Sequence, residues 1–267
     1  MKSADFEYDG ILLSEKGYIM CNFNTDGIST VSGGSHITMN TIRKQHGVIN
    51  DLISADYDEI LSTTFQICKF PCGMDAQEDQ YLTMEEVRDM TRWLNRKEFL
   101  KFRFMDDELM NIYYEGTFNI NTIKFHNHII GLELTLITNK PFAFGKEKTI
   151  TITNATANGT YTLKDESDEI GYIYPKMVIT CSSSGNLTIH NAIEDRSMVI
   201  KNCTSGEVIT VDYPVISSSL VAHAILNDFN WSFFRIANVF NNVKNVLTIS
   251  LPCTIVLTYS PIIKVGI

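Results

Sequence analysis

The stretch 134–144 constrains the fold most, because one strand pattern ends there and a second begins directly after it. Apolar and polar residues alternate up to Thr138, as in a β-strand with one buried face. Pro141 then fixes its own φ angle and favours an extended conformation at the residue before it, so no helix follows. The alternation resumes in the next few residues. The sequence therefore predicts two domains, residues 1–144 and 145–267.

One amphipathic helix is predicted in the first domain, over residues 83–95. Thr83 and Glu86 have the spacing of a capping box, in which each side chain bonds the other residue's backbone N–H at a helix start. Side chains at three- and four-residue spacing then form one stripe. The stripe comprises Met84, Val87, Met90, Thr91 and Leu94, and Trp93 lies beside it. A partner could bind this face, but a single helix in a β-rich domain more often covers its own sheet, and we expect that role.

The remainder of the first domain is predicted to be β-rich. The predicted strands cover residues 10–14, 17–23, 28–31, 37–42, 60–70, 99–104, 111–118 and 124–138. Gly33-Gly34 separates two of them, and a glycine pair favours a hairpin turn with positive φ angles. The pair could also form a phosphate-binding nest, but no helix start or lysine follows it at the spacing of a phosphate-binding loop.

The second domain shows no helical period and is predicted to be a β-sandwich, which makes the whole chain mainly β. Short strands separated by turn residues are typical of that architecture. The predicted strands are 148–154, 160–164, 173–181, 186–191, 197–201, 207–212, 231–237, 245–251 and 253–259.

The charge distribution argues against a nucleic-acid-binding surface. The chain has a net charge of −9, and residues 1–143 account for −8 of it, because they contain 13 basic and 21 acidic residues. Proteins that bind phosphates tightly concentrate Lys and Arg instead. We therefore expect no sequence-specific nucleic-acid binding. An acidic surface would suit a protein that lets DNA pass without holding it, and an ordinary soluble surface explains the charge equally well.

The N-terminal residues, the lack of a long apolar run and the cysteine pattern together predict a protein made in a reducing cytoplasm. The first ten residues lack the apolar core of a secretory signal, and no run approaches the ~20 apolar residues of a membrane helix. We expect no membrane insertion. The six cysteines show no disulfide-framework density, and Cys68 and Cys72 have no His or Cys pair at zinc-site spacing.

Two groups of residues could bind a metal, although each has a simpler explanation. His126 and His128 lie two apart in a predicted strand, so both rings would point to one face, but no third ligand is close by. A polar strand face is favoured there. Residues 165–169 hold four carboxylates that could bind Ca²⁺. A solvated acidic turn is favoured at that place.

Aromatic residues of the second domain could stack on a sugar ring. They are Tyr213, Trp231, Phe233 and Phe234. Both faces of the predicted strand around Trp231 are apolar, which favours a strand buried on both faces and a core role. The chain lacks the recognised motifs for nucleophiles, phosphate loops and catalytic metals. We predict that it is not an enzyme and has no catalytic, cofactor-binding or metal-binding residues and no cofactor.

Three regions, taken in order, resemble the distal tail protein family of long-tailed phages with non-contractile tails. The first is a helix ending in Trp93-Leu94, followed by a strand, an acidic turn and Tyr113-Tyr114. The second is the Pro-Phe-Ala-Phe junction at 141–144. The third is the strand order of the second half, from Tyr174-Pro175 to the closing strand pair.

The resemblance implies a structural protein of the virion, at the distal end of the tail. Members of the family form rings, usually hexamers, that join the tail tube to the tip or baseplate and receptor-binding proteins and leave a channel for DNA. Their N-terminal domains make the ring, and their galectin-like or carbohydrate-binding-like C-terminal sandwiches project outward. The alternative is a carbohydrate-binding or adhesion module that acts through residues 145–267.

Overall fold

The computed structural model describes residues 5–23, 37–43, 50–57, 60–70, 80–239 and 244–266. The chain is mainly β, as the sequence predicts, and forms two compact units. The first unit is Met1–Phe144 together with Ile263–Ile267, and the second is Gly145–Ile262. The Gly33-Gly34 turn, the predicted strand 28–31 and Cys72 lie outside the described residues.

Antiparallel strands make up most of the first unit. Its described strands are β1 (Phe6–Tyr8), β2 (Ile11–Leu12), β3 (Tyr18–Cys21), β4 (Ile37–Arg43), β5 (Asn50–Tyr57), β6 (Ser62–Lys69), β7 (Leu100–Phe104), β8 (Ile112–Phe125), β9 (His128–Thr138) and β10 (Ala143–Gly145), with β22 (Ile262–Ile263) near the chain end. Among the strands described, one sheet follows the order β2-β1-β7-β8-β9-β6-β3, and β10 joins it beside β8 and β22. A short 3-10 helix at Ser14–Lys16 leads into β3.

Helix α1 (Met84–Leu94) starts at the predicted capping box. The Thr83 hydroxyl accepts a hydrogen bond from the Glu86 N–H at 3.2 Å, and the Glu86 carboxylate accepts one from the Thr83 N–H at 2.7 Å. Two of the backbone N–H groups that every helix start leaves unpaired are therefore satisfied.

The buried face of α1 differs from the predicted stripe. Met84 and Thr91 are exposed, whereas Trp93 is buried and its ring stacks on that of Phe6 with centroids 6.0 Å apart. The large indole reaches the core from beside the stripe, which helical spacing alone does not show. The helix covers its own sheet over an aromatic core, whose largest fully buried members include Phe6, Tyr8, Phe102, Phe104, Tyr114 and Phe118.

The single strand predicted over residues 124–138 is wrong. β8 continues to Phe125 and pairs with β9 from His128 onward, so the chain reverses at His126 and Asn127. His126 adopts a left-handed φ of 53°, which suits a tight reversal. Apolar residues continue on both sides of this turn, and alternation alone therefore hides it.

The last residues of the chain belong to the first unit. The Tyr114 hydroxyl, which is buried, donates to the carbonyl oxygen of Gly266 at 2.9 Å, and Val265 packs against the aromatic core. The chain end therefore satisfies a buried polar group of the first unit.

Deleting residues 264–267 should destabilise the first unit by about 2 kcal/mol, because the Tyr114 hydroxyl would lose its buried acceptor and Val265 its apolar contacts. Chemical denaturation of the full chain and the truncated chain would measure the difference. A Tyr114→Phe control removes only the hydroxyl and should lose less. Equal stability of the truncated and full chains would contradict the assigned role.

The second unit is a sandwich of two antiparallel sheets. Its described strands are β11 (Lys148–Asn154), β12 (Gly159–Lys164), β13 (Gly171–Ile173), β14 (Lys176–Cys181), β15 (Gly185–Asn191), β16 (Arg196–Cys203), β17 (Val208–Asp212), β18 (Val215–Ser218), β19 (Ile236–Asn238), β20 (Lys244–Ile249) and β21 (Cys253–Tyr259). One sheet has the order β11-β21-β14-β17-β18, and the other β12-β20-β15-β16. Side chains from both sheets share one apolar core, as sheet-on-sheet packing requires.

Residues 231–237 do not form the predicted strand. Only Ile236–Asn238 pairs, as β19, and the chain before it is irregular, with a left-handed φ of 56° at Trp231. The sequence also missed β18 and the four-residue helix α2 (Ile225–Asp228). Across the described residues, no helix is both long and apolar enough to cross a membrane.

Candidate functional site

A two-stranded hairpin of the first unit exposes apolar side chains. β4 and β5 pair only with each other among the described strands, over registers from Ile37–Tyr57 to Arg43–Asn50. Five of its large apolar side chains are at least half exposed, namely Ile37, Met39, Ile42, Leu52 and Ile53. The Tyr57 ring meets the Phe142 ring edge-on with centroids 4.9 Å apart, which anchors the base of the hairpin to its own unit. A two-stranded hairpin is marginal in water, and exposed apolar patches mark contact surfaces.

The two candidate histidines do not form a metal site. His126 lies in the β8–β9 turn and His128 begins β9, so they do not share a strand face. The His128 ring instead stacks on Tyr81 with centroids 4.3 Å apart. Within the described residues, no group of three or more His, Cys, Asp or Glu side chains is arranged to hold a metal ion.

The acidic segment 165–169 is not a fully solvated turn. Asp165 is buried, its carboxylate accepts a hydrogen bond from the Ser167 hydroxyl at 3.0 Å, and burial raises the pKa of this carboxyl. Glu166 forms an ion pair with Lys148. Local sequence does not show that one of these four carboxylates, that of Asp165, is buried.

The aromatic candidates divide into buried and exposed members. Phe233 and Phe234 are buried, as a core role predicts, but Trp231 and Tyr213 are more than half exposed. A left-handed φ at Trp231 turns the chain out of the strand that alternation predicts, and its ring leaves the core.

A buried acid–histidine network lies at the start of β17, and the sequence analysis missed it. Glu207 is fully buried, and one of its carboxylate oxygens lies 2.5 Å from both the Ser218 hydroxyl and Nδ1 of His223. Its other oxygen accepts from the Thr204 N–H at 2.8 Å. Nε2 of His223 lies 3.3 Å from an Asp228 carboxylate oxygen, close enough for an ion pair but not aligned as a hydrogen bond. Through Ser218, His223 and Asp228, the network joins the segment 218–228 to Glu207 beside β17.

Both partners have shifted pKa values. Burial alone would raise the pKa of Glu207, but hydrogen bonds from Ser218, His223 and the Thr204 N–H outweigh it and hold that pKa below its ordinary value of 4.5. Burial would lower the pKa of His223, but the Glu207 carboxylate beside it raises that pKa above 6.5.

The Glu207–His223 pair should therefore contribute most to the stability of the second unit between about pH 4.5 and 6.5. The Glu207 contribution disappears as the pH falls through its lowered pKa, and the His223 contribution disappears as the pH rises through its raised pKa. Thermal unfolding of the full chain, measured from well below pH 4.5 to well above pH 6.5, would detect both declines. His223→Gln should remove the decline on the alkaline side, and an unchanged profile in that variant would contradict the assignment.

Helix α1 also borders an open cavity of about 570 Å³. Its lining includes Lys16, Arg92 and Arg96 beside Glu86 and Asp89, so charges of both signs face it.

The comparisons with known proteins bear on both units. A family model described as a phage tail protein N-terminal domain matches residues 1–140, and a phage tail C-terminal domain model matches residues 142–259. The chain belongs to this phage tail protein family. The tail protein also has the fold of the SPP1 Dit protein, whose crystal structure is described as a paradigm of the hub adsorption apparatus in Gram-positive-infecting phages. The two chains are 16% identical, with a TM-score of 0.67 over 96% of this chain and 98% of that one. No curated protein matches the tail protein.

Family membership makes the tail protein a structural component of the virion tail. It confirms the prediction that the chain is not an enzyme. The resemblance to distal tail proteins drawn from the sequence is confirmed in the fold of nearly the whole chain.

Proposed function

We propose that the tail protein is the distal hub of the tail, a ring of six copies that joins the tail tube to the tip or baseplate and receptor-binding proteins. The fold shared with SPP1 Dit over nearly the full length of both chains supports this role. The match of each half of the chain to a phage tail domain model agrees with this role.

The observation that carries the proposal is the exposed hairpin β4–β5. Its large apolar side chains are exposed in the single subunit. The contact between the rings of Tyr57 and Phe142 holds its base to the first unit. A ring closes through heterologous contacts, so each subunit must present two different surfaces. The hairpin supplies one of them, and the body of a neighbouring copy supplies the other.

The charge of the first half fits a channel for DNA. Residues 1–143 carry a net charge of −8, and a lumen of the same sign as the phosphate backbone discourages DNA from adhering as it passes. The tail protein then needs no sequence-specific contact with DNA.

The position in the virion can be tested by labelling. A gold-conjugated antibody against the tail protein should mark only the tip of intact tails in negative-stain images. Label along the tube or at the head-proximal end would contradict a distal hub.

We further propose that the first unit makes the ring and that the second faces outward. The ends of the second unit lie side by side, because the N–H of Gly145 donates to the Pro261 carbonyl at 2.8 Å. A short Gly-Ser linker from Phe144 to Ile263 can therefore replace the second unit while keeping the chain end that the first unit uses. This shortened chain should still form rings in negative-stain images. A shortened chain that folds but stays monomeric would show that the second unit is needed for closure.

A further inference from the structure

Six aromatic rings form a continuous series in the second unit, here called the aromatic ridge. Its members in contact order are Tyr172, Tyr174, Tyr213, Phe233, Phe229 and Trp231. Neighbouring ring centroids are 4.1 to 5.7 Å apart, within the range of favourable ring–ring contacts. The tightest pair, Tyr174 and Tyr213, is nearly parallel at 7°.

Some rings of the aromatic ridge are buried and others are exposed to solvent. Phe229 and Phe233 are buried in the sandwich core, whereas Tyr172, Tyr213 and Trp231 are 52%, 52% and 58% exposed. Each exposed ring is held by a neighbouring ring. A ligand that lies on these rings therefore does not have to immobilise them first, which removes part of the entropic cost of binding.

Two ion pairs lie beside the aromatic ridge, and the Arg196 guanidinium donates a hydrogen bond to the Phe233 carbonyl oxygen at 3.3 Å. The Arg235 guanidinium lies 3.9 Å from the centroid of the Tyr172 ring and makes two contacts with the Glu194 carboxylate, at 2.8 and 2.6 Å. At Tyr213, the neighbouring Asp212 lies 3.4 Å from the Lys176 ammonium. The two ion pairs retain hydrogen-bonding capacity and carry no net charge, which suits a neutral ligand.

We propose that the aromatic ridge is a binding site for a neutral carbohydrate. The electron-rich faces of aromatic rings attract the weakly positive C–H groups on the flat face of a pyranose ring. The paired Arg235 and Glu194 beside Tyr172 supply a donor and an acceptor for hydroxyl groups. Aromatic side chains together with a few fixed polar groups are common in small-ligand sites. This site lies in the second unit, whereas the hairpin contact proposed above lies in the first.

The test uses the full chain and a panel of neutral oligosaccharides, namely maltohexaose, cellohexaose and chitohexaose, with polygalacturonate as an anionic comparison. Isothermal titration should detect binding of at least one neutral oligosaccharide and weaker or no binding of polygalacturonate. Tyr213→Ala and Trp231→Ala should each weaken the binding about tenfold. Phe125→Ala removes a comparably exposed ring of the first unit and should leave the affinity unchanged.

A second measurement guards against a misfolded variant. In the native chain, a bound oligosaccharide should protect the fluorescence of Trp231 from quenching by acrylamide. Trp231→Phe should abolish this protection, while the fluorescence of Trp93 still shows whether the variant is folded. The proposal is overturned if no neutral oligosaccharide binds at millimolar concentration, if binding is equal in the ridge variants, or if only the anionic polymer binds. Capture of another tail protein through the ridge without saccharide binding would likewise overturn it in favour of a protein interface.

Discussion

His223→Ala should lower the free energy of unfolding of the second unit by about 3 kcal/mol. Removing one partner of a buried charged pair leaves the other charge without compensation, and such losses are about 3–5 kcal/mol. Glu207 is fully buried and the His223 side chain is 4% exposed, so water cannot take the place of the lost imidazole without rearrangement. Ser218 and the Thr204 N–H would remain as partners of the carboxylate, which places the expected loss near the lower limit.

Chemical denaturation of the full chain, followed by a signal from the second unit, would measure this loss. His190→Ala is a matched control, because His190 is partly exposed and lies 3.9 Å from the exposed Asp195. We expect the control to cost under about 1 kcal/mol. A double replacement, His223→Ala with Glu207→Gln, should recover part of the stability, because it no longer buries an unpaired charge. Equal losses in His223→Ala and His190→Ala would show that the network does not stabilise the unit.

The regular parts of the fold could be predicted from local sequence. The capping box at Thr83 and Glu86 is a short-range signal, and the structure forms it at those two residues. The strands of the sandwich follow from alternation, because each has one face on a shared core. Local patterns succeed where the partners are neighbours in the chain.

The sequence-based predictions fail where an unusual backbone conformation, or pairing between residues distant in the chain, determines the local structure. His126 and Trp231 both adopt left-handed φ angles within apolar sequence, so a turn and an irregular segment were predicted as strands. The hydrogen-bonded partners Glu207 and His223 are 16 residues apart, and only the path of the chain through β18 and α2 brings them together. Neither residue has a spacing that would identify the pair in advance.

Charged replacements in the exposed hairpin should abolish assembly of the tail protein. Met39 and Leu52 are 63% and 58% exposed, so Met39→Glu with Leu52→Glu removes little buried surface from the subunit and should leave its thermal unfolding nearly unchanged. In a ring contact the same two carboxylates would be buried without partners, at a cost of several kcal/mol. We therefore expect the association constant to fall by at least about a hundredfold.

Val221→Glu is the matched control for these hairpin variants. Val221 is a fully exposed apolar residue of the second unit, and the same change of charge there should leave assembly intact. Loss of assembly in both variants would point to a general effect of added negative charge on this acidic chain and would remove the support for the hairpin contact.

Native mass spectrometry of the full-length chain over a range of protein concentrations tests the proposed hub most directly. We predict a closed species of six copies whose population rises with concentration and which the hairpin variant cannot form. A protein that stays monomeric throughout that range, while folded, would contradict the account of a self-assembling distal ring.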